Sequence, residues 1–294
     1  MTQLRRRMIE DMQIRNLAAP TQTTYLQHVS QFARHFGKSP ELLGPNEIRA
    51  YQLYLVQERK FAPASMTVAI SALRFLYKVT LKRDWNIEDV IPTPKTLKML
   101  PIILSPEEVL DFLDHIPDIK HRTILTTCYA AGLRIEEAVR LQIPHIDSQR
   151  MVIRVELGKG RKDRYVMLSV KLLEMLRQWW SLARPRIWLF PGESPDGHIT
   201  ENAVQCACRR VCDHYHNRKT NITPHLLRHC FSVHLLEQGV DVRTIQLLLG
   251  HRSLSTTARY LRIATTKVCS ATSPLDLLPR PQPLEVKPNP PQNV

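Results

Sequence analysis

Apolar residues recur at intervals of three and four positions through most of the chain, which is the spacing of helices that bury one face. In the N-terminal part, one stripe of apolar residues at this spacing ends at Gly37, and two others begin after Pro45 and Pro63. Glycine commonly ends a helix, and proline suits a first turn. Three stripes and a basic opening segment therefore predict a bundle of about four helices. They occupy residues 3–16, 25–36, 48–55 and 68–79.

The helical periodicity stops after Trp85, and prolines and lysines follow as far as Pro101. This stretch is typical of an extended basic linker. A second domain is predicted to begin at Ser105, because Ser105 and Glu108 have the spacing of a capping box around a proline in the first turn.

Helical patterns then continue to about residue 141 and return between about residues 169 and 261. Between them, residues 151–155 and 164–168 alternate between apolar and polar side chains around a basic, glycine-containing tip. That pattern predicts a β-hairpin.

The expected fold is mainly α-helical with a small β-hairpin or sheet. A helical domain precedes an α+β domain, and seven of the chain's 21 prolines lie in a flexible tail after residue 273. The predicted divisions are 1–84 for the helical domain, 85–103 for the linker, 104–272 for the α+β domain and 273–294 for the tail.

Composition narrows the class of protein. The 294 residues are 43% apolar, enough for a real core, and carry 41 Lys+Arg against 27 Asp+Glu, a net charge of +14. That excess favours a nucleic-acid partner over a membrane surface, because no basic amphipathic anchor accompanies it. No apolar run of about 18 residues predicts a membrane span. Six cysteines do not suggest a disulfide framework, so we expect a reducing, cytoplasmic location.

Candidate chemistry lies in separate segments of the second domain. They contain an arginine after a Gly-Leu step, a lysine in a Gly-Lys-Gly tip, a His-x-x-Arg pair, a Leu-Gly-His turn and a tyrosine nine residues after that histidine. In order, these residues are Arg134, Lys159, His225, Arg228, His251 and Tyr260. Over residues 104–262 this series resembles the tyrosine recombinase, or phage integrase, family. The resemblance implies that residues 104–272 are the catalytic domain and that residues 1–84 are a DNA-binding domain.

The resemblance implies a covalent mechanism of DNA strand exchange. Tyr260 would attack the scissile phosphate and leave a 3′-phosphotyrosyl bond with a free 5′-hydroxyl. Lys159 would protonate the leaving oxygen, and His225 would assist proton transfer. Lys162, near the same tip, is a rival for the lysine role.

The resemblance also implies how the charge on the phosphate is stabilised. Arg134 and Arg228 would hold the transition state and His251 would hydrogen-bond the phosphate, so no metal, cofactor or ATP is expected. The implied partners are double-stranded DNA, three further copies of the chain in a tetramer on DNA, and accessory DNA-bending proteins. The implied process is integration, excision or transposition of mobile DNA, or resolution of the Xer type.

The residues themselves support this chemistry. His225 and Arg228 are three positions apart, so we expect them on one helix face, and Thr223 can cap that helix. Two guanidinium groups suit the non-bridging oxygens of a phosphate. Tyr260, with an ordinary pKa near about 10, would lose its proton more easily beside them.

Two departures from the family pattern concern packing: Glu136 stands where a small residue is common, and Cys230 where threonine is frequent. The segment after Tyr260 is weakly apolar and then rich in proline, which leaves its docking on a neighbouring copy open.

Three other hypotheses remain. The first is a catalytically silent DNA-binding accessory protein, although an intact catalytic set argues against that. A metal-dependent nuclease is disfavoured because no paired carboxylates accompany the histidines. A zinc site is a weaker alternative to buried helix cysteines, and its ligands would come from Cys206, Cys208, Cys212, His214 and His216.

Overall fold

The structure is a computed structural model of the whole chain, and it describes residues 2–92, 102–156, 163–194, 196–214, 221–251 and 253–262. It divides into two compact units, residues 1–99 and 100–294. The predicted divisions at residues 84, 103 and 272 are not tested by this division and stay predictions.

The N-terminal unit is helical, as the stripes predicted. Its helices are α1 (Gln3–Ile14), α2 (Ala19–Phe36), α3 (Pro45–Gln57), α4 (Pro63–Arg74) and α5 (Ile87–Val90), with a 3-10 turn at Pro40–Leu42 and a π-helical turn at Phe75–Thr80. The predicted end of the second helix is confirmed, because Gly37 caps α2 at φ +61° in the left-handed region. The buried core includes Met12, Phe32, Ile48 and Tyr77.

The structure of this unit continues into the stretch predicted as linker. Trp85 and Val90 pack against the N-terminal core, and Ile91 is fully buried in it. Arg74 also donates to the carbonyl of Ile91, at 2.9 Å from Nε. The hydrophobic periodicity did not predict this extension, because α5 is a single turn and is too short to show a repeat of apolar positions. Residues 93–101 lie outside the described residues.

The C-terminal unit combines helices with one small sheet. Its helices are α6 (Pro106–Asp114), α7 (Ile119–Ala130), α8 (Ile135–Val139), α9 (Val170–Ala183), α10 (Glu201–His214), α11 (Pro224–Glu237), α12 (Val242–Leu249) and α13 (Leu254–Ala258), with 3-10 turns at Ile143–His145 and Arg259–Arg262. The predicted capping box of α6 is confirmed: the Ser105 hydroxyl accepts from the Glu108 amide, and Glu108 accepts from the Ser105 amide.

Three antiparallel strands form the sheet, in the order β1 (Ile146–Asp147), β2 (Val152–Val155), β3 (Arg164–Met167). The predicted hairpin is confirmed in β2 and β3, where Ile153 pairs with Val166 and both are buried. Strand β1 has only two residues, which is too short for an alternating pattern to reveal. The hairpin tip, residues 157–162, lies outside the described residues.

Helix α7 lies inside this unit and packs against α11 and α9. Its buried Ile124, Leu125 and Cys128 contribute to a core that also takes residues from the sheet and from α9. A smaller cluster joins α11, α12 and the last 3-10 turn, and it contains Phe231, Leu249 and Tyr260. The expected fold class, mainly α with a small sheet, is therefore confirmed. Within the described part of the chain, no helix has both the length and the apolar character needed to cross a membrane.

Candidate active site

A single buried carboxylate, that of Glu137, organises the site. Its side chain is 5% exposed and contacts three arginines. Arg164 binds it with both terminal nitrogens, at 2.9 Å and 2.8 Å, and Arg134 Nη1 donates to Oε1 at 2.8 Å. Arg228 Nη1 lies 3.4 Å from Oε2. One anion thus fixes three cations, which come from the residue before α8, from β3 and from α11.

Local structure explains why Glu137 faces Arg134. Arg134 precedes α8, and its backbone amide donates to Glu137 Oε2 at 2.8 Å. This is the reciprocal half of a capping box, in which the residue three positions into the helix reaches back to the amide of the cap residue. The carboxylate is therefore held in the first turn of α8, where the positive end of the helix also favours it.

The three arginines determine the protonation state of Glu137. Burial by itself would raise the pKa of this carboxyl, but the hydrogen bonds and charge of Arg164, the amide of Arg134 and the charge of Arg228 lower its pKa to about 2. Glu137 is therefore an anion throughout the neutral range.

Arg228 is the most deeply buried charged group of the site, at 1% exposed. Its guanidinium donates to the carbonyl oxygens of Gly132 at 2.7 Å and Leu249 at 2.5 Å. Burial lowers its pKa to about 10, as does the charge of Arg134, while Glu137 raises it.

The approach of Arg134 to Arg228 depends on a glycine. Gly132 has φ +62°, and a Cβ there would lie 2.4 Å from the ring of Phe231 on α11. Only a residue without a side chain lets the turn before α8 lie directly on α11.

His251 follows the end of α12. Gly250 caps α12 in the left-handed region at φ +63°, and a Cβ on it would lie 3.1 Å from the side chain of Arg164. His251 Nδ1 lies 2.9 Å from the Thr257 hydroxyl, and its carbonyl accepts from Gln246. The turn is therefore fixed from both sides.

Tyr260 is buried, with 2% of its surface exposed. Its hydroxyl lies 2.7 Å from Nδ1 of His229, and its ring is roughly parallel to that of His251 at a centroid distance of 6.5 Å. Apolar neighbours, among them Phe231 and Leu249, surround the rest of the ring.

His225 lies in the first turn of α11, whose predicted cap is confirmed: the Leu226 amide donates to the Thr223 hydroxyl at 3.1 Å. Its ring is 4.2 Å from that of His229, one turn further along the helix. His225 is exposed whereas Arg228 is buried, because α11 turns Arg228 towards Glu137 and His225 towards solvent.

The structure thus brings the sequence-predicted residues together in two groups. Arg134 and Arg228 share Glu137, while His225, His251 and Tyr260 adjoin His229 or one another. Lys159 and its rival Lys162 lie outside the described residues. Sequence reasoning missed three residues of the site, which are Glu137, Arg164 and His229. The sequence did contain a signal for Glu137, because it stands three positions after Arg134, which is the spacing of a capping box.

The helix α10 cysteines do not form a metal site among the described residues, where no group of three or more candidate ligands is present. Cys208 is buried, and the Sγ atoms of Cys208 and Cys212 lie 3.2 Å and 3.3 Å from the Ile222 carbonyl. The side chain of His214, and residues 215–220 with His216, lie outside the described residues.

Comparison with known proteins gives two matches to families. Residues 103–267 match the phage integrase family, and residues 4–87 match the N-terminal SAM-like domain of phage integrases.

Individual relatives agree. The Sinorhizobium fredii protein y4qK, whose name assigns it to the integrase/recombinase group, is 62% identical over 96% of this chain and 92% of its own length. The tyrosine recombinase XerD of Brucella suis is 34% identical over 69% of this chain and 73% of its own. In fold, the chain is similar to the Tn1549 transposon integrase in complex with transposon right end DNA, with a TM-score of 0.67, 17% identity, and coverage of 94% of this chain and 96% of that one.

Proposed function

Because the chain belongs to the phage integrase family and is a tyrosine-type site-specific recombinase, we propose that it cuts and rejoins duplex DNA through a 3′-phosphotyrosyl bond at Tyr260. The observation that carries this proposal is the grouping of Arg134 and Arg228 on one buried carboxylate, with the Tyr260 hydroxyl 2.7 Å from Nδ1 of His229, the residue that follows Arg228 on α11.

Arg134 and Arg228 form the proposed binding site for the scissile phosphate. Arg134 keeps a quarter of its side chain exposed, which leaves its guanidinium accessible to a DNA strand. Its charge and that of Arg228 stabilise the phosphate oxygens, whose negative charge grows from one in the diester to two in the transition state. Glu137 and the two carbonyl groups that bind Arg228 hold both cations before DNA arrives, so no reorganisation is needed at the moment of reaction.

In the cleavage step, the Tyr260 oxygen forms a bond to phosphorus as the bond from phosphorus to the 5′ oxygen breaks. Lys159 gives a proton to that leaving oxygen, His225 assists proton transfer, and His251 hydrogen-bonds the phosphate. The phosphotyrosyl bond conserves the energy of the phosphodiester, so a second 5′-hydroxyl can reverse the step without ATP. The cationic groups take the electrostatic role that a metal has in other nucleases, and we propose that no metal takes part.

DNA binding must also expose the nucleophile. Tyr260 is 2% exposed and lies in the short 3-10 turn Arg259–Arg262 that follows α13. A phosphate reaches its oxygen only if this terminal segment shifts. We propose that the shift occurs when the chain assembles on DNA, as a tetramer, since recombination needs two cuts on each of two duplexes. Membership of the family further supports the proposal that the chain acts in the cytoplasm, in integration, excision or transposition, with accessory DNA-bending proteins.

The experiment that tests this proposal traps the covalent intermediate. Nicked duplexes taken from DNA that flanks the gene release the 5′-hydroxyl strand on cleavage, so rejoining cannot occur and the protein–DNA adduct accumulates. The protein is incubated with these duplexes in the presence of EDTA, and the adduct is resolved on a denaturing gel and mapped by mass spectrometry.

We expect an EDTA-resistant adduct at Tyr260 that is absent from Tyr260→Phe. Tyr165→Phe is the matched control, because Tyr165 is an exposed tyrosine on β3 whose hydroxyl has no part in the proposed chemistry. Specific binding of these duplexes without any adduct would favour the accessory DNA-binding protein instead, and loss of the adduct in EDTA would favour a metal-dependent enzyme.

A further inference from the structure

We propose that Arg164 is a positioning residue for the cleavage reaction: it neutralises Glu137, so that the charges of Arg134 and Arg228 stay available to the scissile phosphate. This inference rests on the proposed function, because it concerns the same two phosphate-binding arginines. The observation that carries it is the double hydrogen bond of the Arg164 guanidinium to both oxygens of Glu137, at 2.9 Å and 2.8 Å.

Arg164 is placed to act on Glu137 rather than on DNA. It is the first residue of β3, only 11% of its side chain is exposed, and its Nε donates to the Leu248 carbonyl at 2.8 Å. All three guanidinium nitrogens therefore bind acceptors inside the C-terminal unit. Arg134, by contrast, keeps a quarter of its side chain exposed. Arg164 thus affects the phosphate through the carboxylate that it shares with Arg134.

The hydrogen bonds at Glu137 show what Arg164 prevents. Oε1 accepts from Arg164 and Arg134, and Oε2 accepts from Arg164 and from the Arg134 amide. A carboxylate accepts about four hydrogen bonds, so these four use its capacity. Arg228 stays 3.4 Å from Oε2, and its shorter bonds go to two backbone carbonyl groups. Without Arg164, both phosphate-binding arginines would have room to close on Glu137 instead of on the phosphate.

The charges of these four side chains lead to the same conclusion. Arg134, Arg164 and Arg228 are three cations around one anion, which leaves the group with a net charge of +2. The phosphate oxygens carry one negative charge in the diester and two in the transition state. The group with Arg164 therefore matches the transition state, whereas a net charge of +1 without Arg164 would match only the ground state. Only the interactions that are stronger in the transition state raise the rate.

The fold holds the Arg164 side chain on a fixed path to Glu137. Its backbone pairs with Val155 in the antiparallel ladder between β2 and β3. At the end of α12, a Cβ on Gly250 would lie 3.1 Å from Cδ of Arg164, so the stem passes directly over this glycine. The Leu248 carbonyl then fixes Nε, and both terminal nitrogens face the carboxylate. The guanidinium is therefore in place before DNA binds, and it needs no reorganisation during the reaction.

The test is a double-mutant cycle on the rate of adduct formation with the nicked duplexes and the full-length protein. Arg164→Gln should lower this rate about 10–100-fold, which is less than the about 10²–10³-fold cost of removing a group that contacts the transition state directly. In Glu137→Gln there is no anion to neutralise, so adding Arg164→Gln should change the rate less than about threefold. A purely structural role of the bond to Leu248 would cost the same in both backgrounds.

A substrate without charge at the scissile phosphate gives a second readout. A methylphosphonate has a methyl group in place of one non-bridging oxygen, so its transition state carries one negative charge rather than two. The rate loss of Arg164→Gln should shrink on this substrate to less than about threefold, whereas a misfolded variant would lose rate equally on both substrates. Arg164→Lys keeps the charge and should lose less rate on the ordinary duplex than Arg164→Gln.

Arg122→Gln is the matched control. Arg122 is another half-buried arginine that donates to a backbone carbonyl, that of Ile116, at 2.9 Å and 2.7 Å. Its replacement removes a similar bond elsewhere in the C-terminal unit, so the adduct should form at the wild-type rate. Arg164→Met keeps the unbranched stem beside Gly250, and it takes the place of Arg164→Gln in both assays if that variant does not fold.

Three outcomes would overturn the assignment: an Arg164→Gln rate within about threefold of the wild type, an equal loss in the Glu137→Gln background, or an equal loss on the methylphosphonate. In each case the wild-type adduct at Tyr260 would still form, so only the role of Arg164 would fall. Absence of the wild-type adduct would instead refute the proposed function, and this assignment with it.

Discussion

Replacing Glu137 with glutamine should destabilise the C-terminal unit by about 3 kcal/mol at neutral pH. Glutamine keeps the size of the side chain but removes the negative charge that faces Arg134, Arg164 and Arg228. Arg228 is 1% exposed, so its charge would then lie in the interior without the anion that now compensates it.

The magnitude follows from two separate arguments. The Glu137 pKa of about 2 lies well below its ordinary 4.5, and each unit of difference corresponds to about 1.4 kcal/mol, which gives about 3 kcal/mol. Breaking a buried ion pair by removing one partner typically costs about 3–5 kcal/mol. Both arguments therefore give a loss of stability of about 3 kcal/mol.

The effect should depend on pH in a specific direction. The pKa of Glu137 is lower in the folded chain than in the unfolded chain, so its stabilisation is fully present above pH 4.5 and declines as the pH falls towards about 2. The difference in stability between the wild type and Glu137→Gln should therefore narrow through that window.

Urea unfolding followed by tryptophan fluorescence measures this difference, because three of the four tryptophans lie in the C-terminal unit. Glu136→Gln is the matched control. Glu136 is the preceding residue, is 54% exposed and pairs with Arg140 on the helix surface, so its loss should cost less than about 1 kcal/mol. Equal costs for the two variants, or a cost for Glu137→Gln that stays constant down to low pH, would refute the reasoning.

Three further predictions concern single positions. Thr223→Ala removes the cap of α11 and should lower stability by about 1 kcal/mol in the same urea assay, with Thr223→Ser close to the wild type. Gly132→Ala should cost more than about 1 kcal/mol, because it places a Cβ at φ +62° and 2.4 Å from an aromatic ring; a neutral effect would contradict that geometry. Cys212, whose pKa a hydrogen bond with Cys208 lowers, should react with iodoacetamide faster than buried Cys128, whose pKa burial raises to about 12. Mass spectrometry of the labelled peptides measures the two rates, and equal labelling of the two thiols would argue against the prediction.

Local patterns predicted most of the fold, because each depends on neighbours in the chain. The Gly37 stop, the Ser105 capping box and the Thr223 cap are arrangements within three or four residues, and the structure has each of them. The β2–β3 hairpin likewise follows from alternation in two adjacent segments. The helix α5 and the strand β1 were not predicted, because both are too short to show a repeating pattern of apolar positions.

For the site, the sequence by itself determined which residue types are present and in what order, from Arg134 to Tyr260, since these are properties of the chain. Only the tertiary structure decided that Glu137 binds Arg164 and Arg228, which are 27 and 91 positions away, and that Tyr260 is buried against His229, 31 positions away. No periodicity reports such pairings, because they arise when α8, α11, β3 and the last turn pack together. A buried cation needs an anion close by and a buried phenol needs a hydrogen-bond partner, and the packing of those four elements determines which residues meet these needs.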